Sequence, residues 1–239
     1  MLKASCKRPQ RMTVDLWVFD WSGTISDDRA SCLHGINHVF KHYNHPAITW
    51  EELKRNYSAD IVAFYRKWGI EATRENFYKI FREEFDRNPH KPTAIPSAPE
   101  AVKMLTEIAP VAIFSSHPTE LLKQEIAEYW LKDVISHTYG YVDKAQTREL
   151  EELLQRAGAR PRNTVYVGDT HVDITLAHRV GTKSVAIVHE RSYQTLEGVK
   201  AFNPAPHAII SSLNELPGTL PKLDLASSPS LRKPYLSNG

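Results

Sequence analysis

Cysteine is scarce in this sequence of 239 residues, where only Cys6 and Cys32 occur. Two cysteines with no C-x-x-C or similar spacing exclude a disulfide scaffold and a cysteine-based metal or redox site. Free cysteines are typical of a reducing compartment, so we expect the protein to act in the cytoplasm.

Long apolar runs and a strong net charge are absent as well. No run approaches the ~20 apolar residues that a membrane helix needs, and the basic N-terminal stretch MLKASCKRPQRM lacks the apolar centre of a signal peptide. With 30 basic and 28 acidic residues the net charge is +2, so no global field attracts nucleic acid or membrane. We expect neither as a partner.

What the sequence does contain is a series of short apolar runs rich in β-forming residues, separated by helical patterns. The runs are TVDLWVF (13–19), PVAIFS (110–115), NTVYVG (163–168), KSVAIV (183–188) and the weaker HAIIS (207–211). Strands that alternate with helices predict an α/β fold with a doubly wound parallel sheet. In the predicted helix 147–157 the leucines share one face, and Gly158 is the expected C-terminal stop.

Residues 28–95 interrupt this alternation, because they contain helical patterns and no convincing strand. We interpret them as an inserted all-helical domain that returns through the proline-containing hinge HKPTAIPSAPE. The predicted organisation is a core of residues 1–27 and 96–220, a helical insert of residues 28–95, and an irregular C-terminal tail of residues 221–239.

Four polar clusters lie at or after the predicted carboxyl ends of strands, where open α/β sheets bind their ligands. They are Asp20-Trp21-Ser22-Gly23-Thr24, Ser115 (with the neighbouring Ser116 as the less favoured alternative), Lys144, and Gly168-Asp169-Thr170-His171-Val172-Asp173. We therefore expect these four clusters to converge in space.

The chemistry of the clusters is complementary for attack on phosphorus. Asp20 and Asp169 can share a hard divalent cation that screens phosphoryl oxygens. Lys144 adds a point charge for the phosphate and the nucleophile. The Ser115 hydroxyl can donate a hydrogen bond to a phosphoryl oxygen, and the small Gly23 lets backbone N–H groups approach the same oxygens.

These motifs resemble those of the haloacid dehalogenase superfamily over roughly residues 14–216. The family's first motif, D-x-D-G-T after an apolar strand, stands here as DWSGT, and its later motifs match Ser115, Lys144 and the Gly168/Asp169/Asp173 pattern in the right order. Helices inserted after the first motif resemble the cap of the phosphoglycolate phosphatase and phosphonatase branch.

The resemblance implies a mechanism and a cofactor. Asp20 would be the nucleophile of an aspartyl-phosphate intermediate, with Lys144 and Ser115 as the other catalytic residues. Mg²⁺ would be held by Asp20, the backbone carbonyl of Ser22, and Asp169, while Asp173 steadies its waters or Lys144. The phosphate would be bound by Ser22, Gly23, Thr24, Ser115, Ser116 and Lys144. The function expected is hydrolysis of a small phosphorylated metabolite by a magnesium-dependent phosphatase.

Ser22 departs from the family pattern, because most phosphatases of the family carry an aspartate there as general acid and base. A serine hydroxyl does not titrate near neutrality, and general acid–base catalysis is worth roughly 10²–10⁴-fold. Either the leaving group needs no proton, or another residue supplies it, or turnover is slow and the protein binds a phospholigand instead. Four candidate proton donors lie near motif positions: Asp27, Asp28, His117 and His171.

A C–P bond hydrolase of the phosphonatase type is a further alternative, since those enzymes share the Asp20-Trp21 context. They also need a cap lysine that forms a Schiff base. The candidates are Lys41, Lys54, Lys67 and Lys79, none of which stands in surroundings that indicate desolvation. The oligomeric state is left open by the sequence.

Overall fold

The computed structural model of the chain describes residues 13–58, 61–85, 87 and 91–225. The expected N-terminal arm and most of the expected tail lie outside these residues. The described strands are β1 Leu16–Phe19, β2 Ser26–Asp27, β3 Thr93–Ala94, β4 Val111–Phe114, β5 Ile135–Tyr139, β6 Thr164–Gly168, β7 Lys183–Ile187 and β8 Ala208–Ile210.

The described helices alternate with these strands outside the insert and follow one another directly within it. They are α1 Arg29–His42, α2 Trp50–Asn56, α3 Ile61–Arg66, α4 Arg74–Phe85, α5 Ala98–Leu105, α6 Thr119–Glu128, α7 Arg148–Ala157, α8 His171–Val180, α9 Leu196–Lys200 and α10 Leu216–Thr219. Helix α7 confirms the predicted segment, and Gly158 ends it in the left-handed conformation with φ 63°. None of the described helices has the length and apolar character needed to cross a membrane.

Six strands form one parallel sheet in the order β5-β4-β1-β6-β7-β8. The central strand β1 is fully buried because helices cover both faces of the sheet. Trp17 and Phe19 pack on the side of α5 and α6, while Leu16 and Val18 pack on the side of α7 and α8. Side chains of a strand alternate between faces, so the continuous apolar run of β1 matches its place in the middle. This confirms the predicted doubly wound α/β fold.

The sheet has one strand that the sequence did not predict. Strand β5, ISHTY, lies at the edge of the sheet and its residues are exposed or half-buried. An edge strand that is not enclosed on both faces has no need of a continuous apolar run, so its polar composition gave no strand signal.

Helices α1 to α4 form a layer with its own core, built around Phe40, Phe64, Tyr65 and Phe77. Tyr65 and Phe77 stack with their ring centroids 4.4 Å apart. Within the predicted all-helical insert, residues 49–69 contain two separate helices, α2 and α3. The two connections to the sheet pair as the antiparallel ribbon of β2 and β3, which is too short for a periodic signal in sequence.

At the C-terminal end, packing on the sheet continues beyond residue 220. Leu223 and Leu225 belong to the same buried cluster as Trp17. The first residues of the expected irregular tail therefore contribute to the core, and residues 226–239 lie outside the described part of the chain.

Candidate active site

The parallel strands bring the predicted site residues to one edge of the sheet. Strands β1 and β6 are hydrogen-bonded neighbours with Phe19 opposite Val167, and the N–H of Asp20 donates to the carbonyl of Val167 at 2.9 Å. Asp20 and Asp169 each follow the end of one of these strands, so the chain direction places both carboxylates at the carboxyl edge.

Lys144 connects the carboxylates of two motifs. Its Nζ lies 2.6 Å from Asp20 Oδ1 and 2.8 Å from Asp173 Oδ1. Carboxylate oxygens of Asp20, Asp169 and Asp173 all lie within 4.8 Å of one another, and all three residues are buried. The structure thus brings together the four charged residues that the sequence singled out.

Asp173 is fully engaged in hydrogen bonds. Its Oδ2 accepts from the N–H and the hydroxyl of Thr170 at 3.1 and 2.6 Å, in a capping box that begins α8. Its Oδ1 accepts from Lys144 and from the Tyr166 hydroxyl at 3.2 Å. Of the two roles that the resemblance implies for Asp173, its contacts fit the one that steadies Lys144.

The cluster is strongly acidic for a buried site. Burial raises the pKa of Asp20 to about 6, with attraction by Lys144 opposing the shift and repulsion by Asp173 adding to it. Burial, with repulsion by Asp20 and Asp173, holds the pKa of Asp169 well above its usual range. Burial alone would lower the pKa of Lys144, but its two carboxylate partners raise it, so the lysine stays protonated. One cation among three carboxylates leaves negative charge that a bound cation would neutralise.

The donor set fits a hard divalent cation such as Mg²⁺. Asp169 Oδ1 is buried and has no hydrogen-bond partner among the described residues, whereas Oδ2 accepts from the Tyr193 N–H at 2.5 Å. Gly23 has φ 70°, and a Cβ on it would lie 2.3 Å from Asp169 Oδ2. The glycine therefore leaves room for the carboxylate, and oxygen ligands of this kind suit magnesium.

The two predicted serines of the second motif differ in position. Ser115 is buried, and its hydroxyl oxygen accepts from the His117 N–H at 3.2 Å, which leaves the hydroxyl hydrogen available to a ligand. Ser116 is exposed, and its hydroxyl donates to the carbonyl of Val142 at 2.9 Å. Ser115 therefore fits phosphate binding better than Ser116.

In the first motif, a backbone N–H group of the turn after Asp20 donates a hydrogen bond within the turn itself. The N–H of Gly23 donates to the carbonyl of Ser26 at 2.8 Å, so this amide is occupied within the turn. The Thr24 hydroxyl is fully buried with no hydrogen-bond partner in the described part of the chain. Within this motif, the Thr24 hydroxyl is thus an unused donor among the described residues.

The four candidate proton donors are separated by the fold. His171 is exposed and its Nε2 bonds the carbonyl of Asn203 at 2.9 Å, while both oxygens of Asp27 accept from Arg29 at 2.7 Å. Asp28 is buried, which raises its pKa, while His117 and the hydroxyl of Ser22 oppose that rise. Asp28 is therefore a candidate that interacts electrostatically with Ser22.

His117 belongs to a buried polar network that the sequence did not indicate. Its Nε2 lies 2.9 Å from Oε1 of Glu125, and Oε2 of Glu125 accepts from Trp21 Nε1 at 2.6 Å and from the Ser26 hydroxyl at 3.0 Å. One signal was present: Glu125 lies on the same helical face as Leu122, Ile126 and Tyr129, all of them buried. A carboxylate on an apolar face indicates a buried partner.

Tyr193 is a second residue without a sequence motif. It is buried, its backbone N–H holds Asp169, and its hydroxyl donates to Asp28 Oδ1 at 2.8 Å. Its position in the loop after β7 has no periodic or spacing signal, so only the tertiary structure reveals it.

A buried carboxylate paired with a lysine, beside two further carboxylates at the carboxyl edge of a parallel sheet, is the arrangement expected of a hydrolase that acts on phosphoryl groups. The family model for haloacid dehalogenase-like hydrolases matches residues 17–187, which is most of the chain. The chain therefore belongs to the haloacid dehalogenase-like hydrolase family, and it is an enzyme.

Known proteins of this family resemble the chain over most of its length. Pyrophosphatase PpaX of Oceanobacillus iheyensis is 25% identical over 200 residues, covering 81% of this chain and 91% of that protein. A haloacid dehalogenase-like hydrolase of Streptococcus pneumoniae superimposes with a TM-score of 0.73 at 16% identity, covering 86% and 97% of the two chains. A predicted phosphoglycolate phosphatase of Haemophilus somnus gives 0.69 at 18% identity, covering 86% and 97%. These two structures support the fold.

Proposed function

We propose that the protein is a magnesium-dependent phosphohydrolase that acts on a small phosphorylated metabolite through an aspartyl-phosphate on Asp20. The observation that carries the proposal is the contact of 2.6 Å between Lys144 Nζ and Asp20 Oδ1 inside a buried carboxylate cluster. Lys144 keeps Asp20 ionised and oriented, and it supplies positive charge next to the position of the phosphoryl group.

Asp20, Asp169 and the backbone carbonyl of Ser22 would hold the Mg²⁺, and Asp173 would act on it through Lys144. When bound, the cation supplies charge neutralisation for the phosphoryl oxygens and the carboxylates. The buried Asp169 Oδ1 without a partner supports this assignment.

The reaction has two displacements at phosphorus. In the first, a carboxylate oxygen of Asp20 forms a bond to phosphorus while the bond to the leaving group breaks and its electron pair departs with the leaving group. In the second, water attacks the acyl-phosphate, which releases phosphate and regenerates the carboxylate. Ser115 donates its hydroxyl hydrogen to a phosphoryl oxygen in both steps.

The substrate class follows from Ser22. With a hydroxyl where related phosphatases carry a carboxylic acid, the leaving oxygen receives no proton from this position, so a good leaving group is favoured. We propose a phosphoanhydride or acyl phosphate, whose leaving group is stable as an anion near neutrality. The name of the relative PpaX, a pyrophosphatase, supports this choice.

The exposure of the cap lysines does not favour the C–P hydrolase alternative. Lys41, Lys67 and Lys79 are exposed and Lys54 is half-buried, and Lys67 Nζ donates to the carbonyl of Asn56 at 2.9 Å. A Schiff-base lysine needs a desolvated ammonium with a lowered pKa.

The test is a substrate panel with Mg²⁺ that compares pyrophosphate, acetyl phosphate and p-nitrophenyl phosphate with alkyl phosphates. We expect the first three to be hydrolysed with kcat/KM about 100-fold above the alkyl phosphates, since they need no general acid. Asp20→Asn should abolish turnover, whereas Asp15→Asn, at the opposite end of β1, should retain it. Turnover equal in wild type and Asp20→Asn would refute the hydrolase and favour a phospholigand-binding protein.

Ser22→Asp tests the substrate class itself. The new carboxyl would lie beside the buried Asp28, and two adjacent carboxyls raise the pKa of one of them. A carboxyl of raised pKa can donate a proton near neutrality, so we expect the turnover of alkyl phosphates to rise about tenfold or more. No rise would mean that another group already supplies the proton.

A further inference from the structure

Helix α2 of the insert presents two aromatic rings to the active-site loop after β7. Trp50 is its first residue and Tyr57 caps its C-terminal end, with a capping box of Thr49 and Glu52 at the start. Seven residues correspond to about two helical turns, so both side chains lie on the same side of the helix.

The two rings enclose Tyr193. The ring centroid of Trp50 lies 5.1 Å from that of Tyr193 at an interplanar angle of 72°, and the ring of Tyr57 lies 5.6 Å away at 56°. Edge-to-face and tilted aromatic pairs of this kind attract one another beyond the effect of the area that they bury. Tyr193 is therefore fixed by the insert from two directions.

The other contacts of Tyr193 reach the carboxylate cluster. Its backbone N–H donates to Asp169 Oδ2 at 2.5 Å and its hydroxyl donates to Asp28 at 2.8 Å. Because Oδ2 of Asp169 is held in this way, the orientation of the free Oδ1 is fixed as well. One residue thus connects the insert with a carboxylate of the candidate metal site.

We propose that Tyr193 is a positioning residue through which α2 sets the orientation of Asp169, so that the seating of the helical insert determines the affinity for Mg²⁺. The inference rests on the proposed function, in which Asp169 is a magnesium ligand. A carboxylate that loses its hydrogen-bonding partner samples more rotamers, and the loss of such supporting contacts typically weakens metal affinity 10–100-fold. The contacts of the insert would then act on the metal without touching it.

The experiment measures Mg²⁺ binding to the full-length protein without substrate, by calorimetry, and Mn²⁺ binding by electron paramagnetic resonance. The variants Trp50→Leu and Tyr57→Leu each remove one ring from Tyr193. We expect each to raise the dissociation constant for Mg²⁺ about tenfold. Trp50 also contacts Arg29, and Tyr57 also interacts electrostatically with Asp169, Asp173 and Asp20. The contact that the two rings share is with Tyr193, so a similar loss of affinity in both variants points to Tyr193.

Trp68→Leu is the matched control. Trp68 is half-buried in the insert like Trp50, and neither indole N–H has a hydrogen-bond partner among the described residues. Its ring packs 5.5 Å from Phe40. We expect this variant to lose stability by packing alone and to bind Mg²⁺ within about twofold of wild type, as expected for contacts outside the metal's supporting shell.

Two further readouts separate positioning from a general loss of structure. At saturating Mg²⁺ the turnover and KM of Trp50→Leu should return to within about twofold of wild type, because only ligand preorganisation was lost. Tyr193→Phe keeps the ring that Trp50 and Tyr57 contact, so its Mg²⁺ affinity should stay near that of wild type. Tyr193→Ala lacks this ring and should bind Mg²⁺ more weakly. If Tyr193→Ala does not fold, the Mg²⁺ affinities of Trp50→Leu and Tyr57→Leu test the inference.

Equal Mg²⁺ affinity in Trp50→Leu, Tyr57→Leu and Trp68→Leu would overturn the inference while leaving the proposed function intact. An Asp169→Asn variant that binds Mg²⁺ as well as wild type, or a wild type that binds none, would refute the metal site and the inference with it.

Discussion

Asp20→Asn removes one of the three carboxylates that surround Lys144, and we expect it to stabilise the metal-free protein. Burial raises the pKa of Asp20 from its ordinary value of 3.8 to about 6 in the folded protein. Because the folded protein binds this proton more tightly than the unfolded chain, ionisation of Asp20 above pH 6 opposes folding. The neutral amide resembles the protonated acid in shape and is free of this penalty.

The size of the effect follows from the same two pKa values. The penalty for the ionised carboxylate is about 3 kcal/mol at pH 7.5, about half of that at pH 5 and about a fifth of it at pH 4. In a chain of this size 1 kcal/mol corresponds to about 2–4 °C. At pH 7.5 in EDTA the variant should therefore melt about 6–12 °C above wild type, and the difference should shrink as the pH falls.

The assay is urea and thermal unfolding in EDTA and in MgCl2, at pH 7.5, 5 and 4. A ligand at 100 times its dissociation constant stabilises the folded state by about 2.7 kcal/mol, so Mg²⁺ should raise the melting temperature of wild type and do little for Asp20→Asn. Asp15→Asn is the control, and we expect the opposite effect. Asp15 accepts hydrogen bonds from the Arg160 guanidinium at 2.7 and 2.9 Å and from its backbone N–H at 3.1 Å. These bonds lower the pKa of Asp15, so its neutralisation should destabilise the folded protein.

A variant Asp20→Asn that is no more stable than wild type in EDTA at pH 7.5 would refute the reasoning. So would a stability difference that does not change with pH, because the effect would then come from packing and not from the buried charge.

Two further perturbations test other parts of the site. Gly23→Ala should displace Asp169, since its Cβ would lie 2.3 Å from Oδ2, and calorimetry should show Mg²⁺ affinity at least about tenfold weaker; Gly158→Ala, with similar positive φ and open space around it, should lose about 1–2 kcal/mol of stability but no affinity. His117→Gln breaks a buried pair with Glu125. Burial opposes ionisation of both, yet pairing raises the pKa of His117 and lowers that of Glu125. The histidine's contribution is lost as the pH rises through its folded pKa, and the glutamate's is lost as the pH falls through its own. Urea unfolding should therefore show the largest loss, about 3 kcal/mol, near pH 6; a loss that does not vary with pH would contradict the ion pair.

Much of the fold was predictable because its signals are local. The buried strands β1, β4, β6 and β7 are runs of β-forming residues, and α7 carries a leucine face with a glycine stop. Strand β5 was missed because an edge strand can be polar. The ribbon of β2 and β3 was missed because two residues carry no period.

In the candidate site, as in the fold, some features were predictable from local sequence and others were not. Asp20, Ser115 and Asp169 were predicted because each stands at or directly after the end of a predicted strand, and the parallel sheet brings such ends together. Lys144 was predicted because it matches the order of the family's motifs. The strand order, the distances from Lys144 to two carboxylates, and the separation of the four candidate proton donors required the folded chain.

The sequence by itself determined the α/β class, the candidate nucleophile Asp20, and the position of Ser22 where related phosphatases carry an aspartate, because residue identity and strand-and-helix periodicity are encoded locally. Only the tertiary structure decided which other residues contact the motif residues and hold them in position. Glu125 lies more than a hundred positions from Trp21, and Tyr193 joins Asp169 to rings at Trp50 and Tyr57. Contacts between such distant positions follow from how the helices and strands pack, and no spacing along the chain records them.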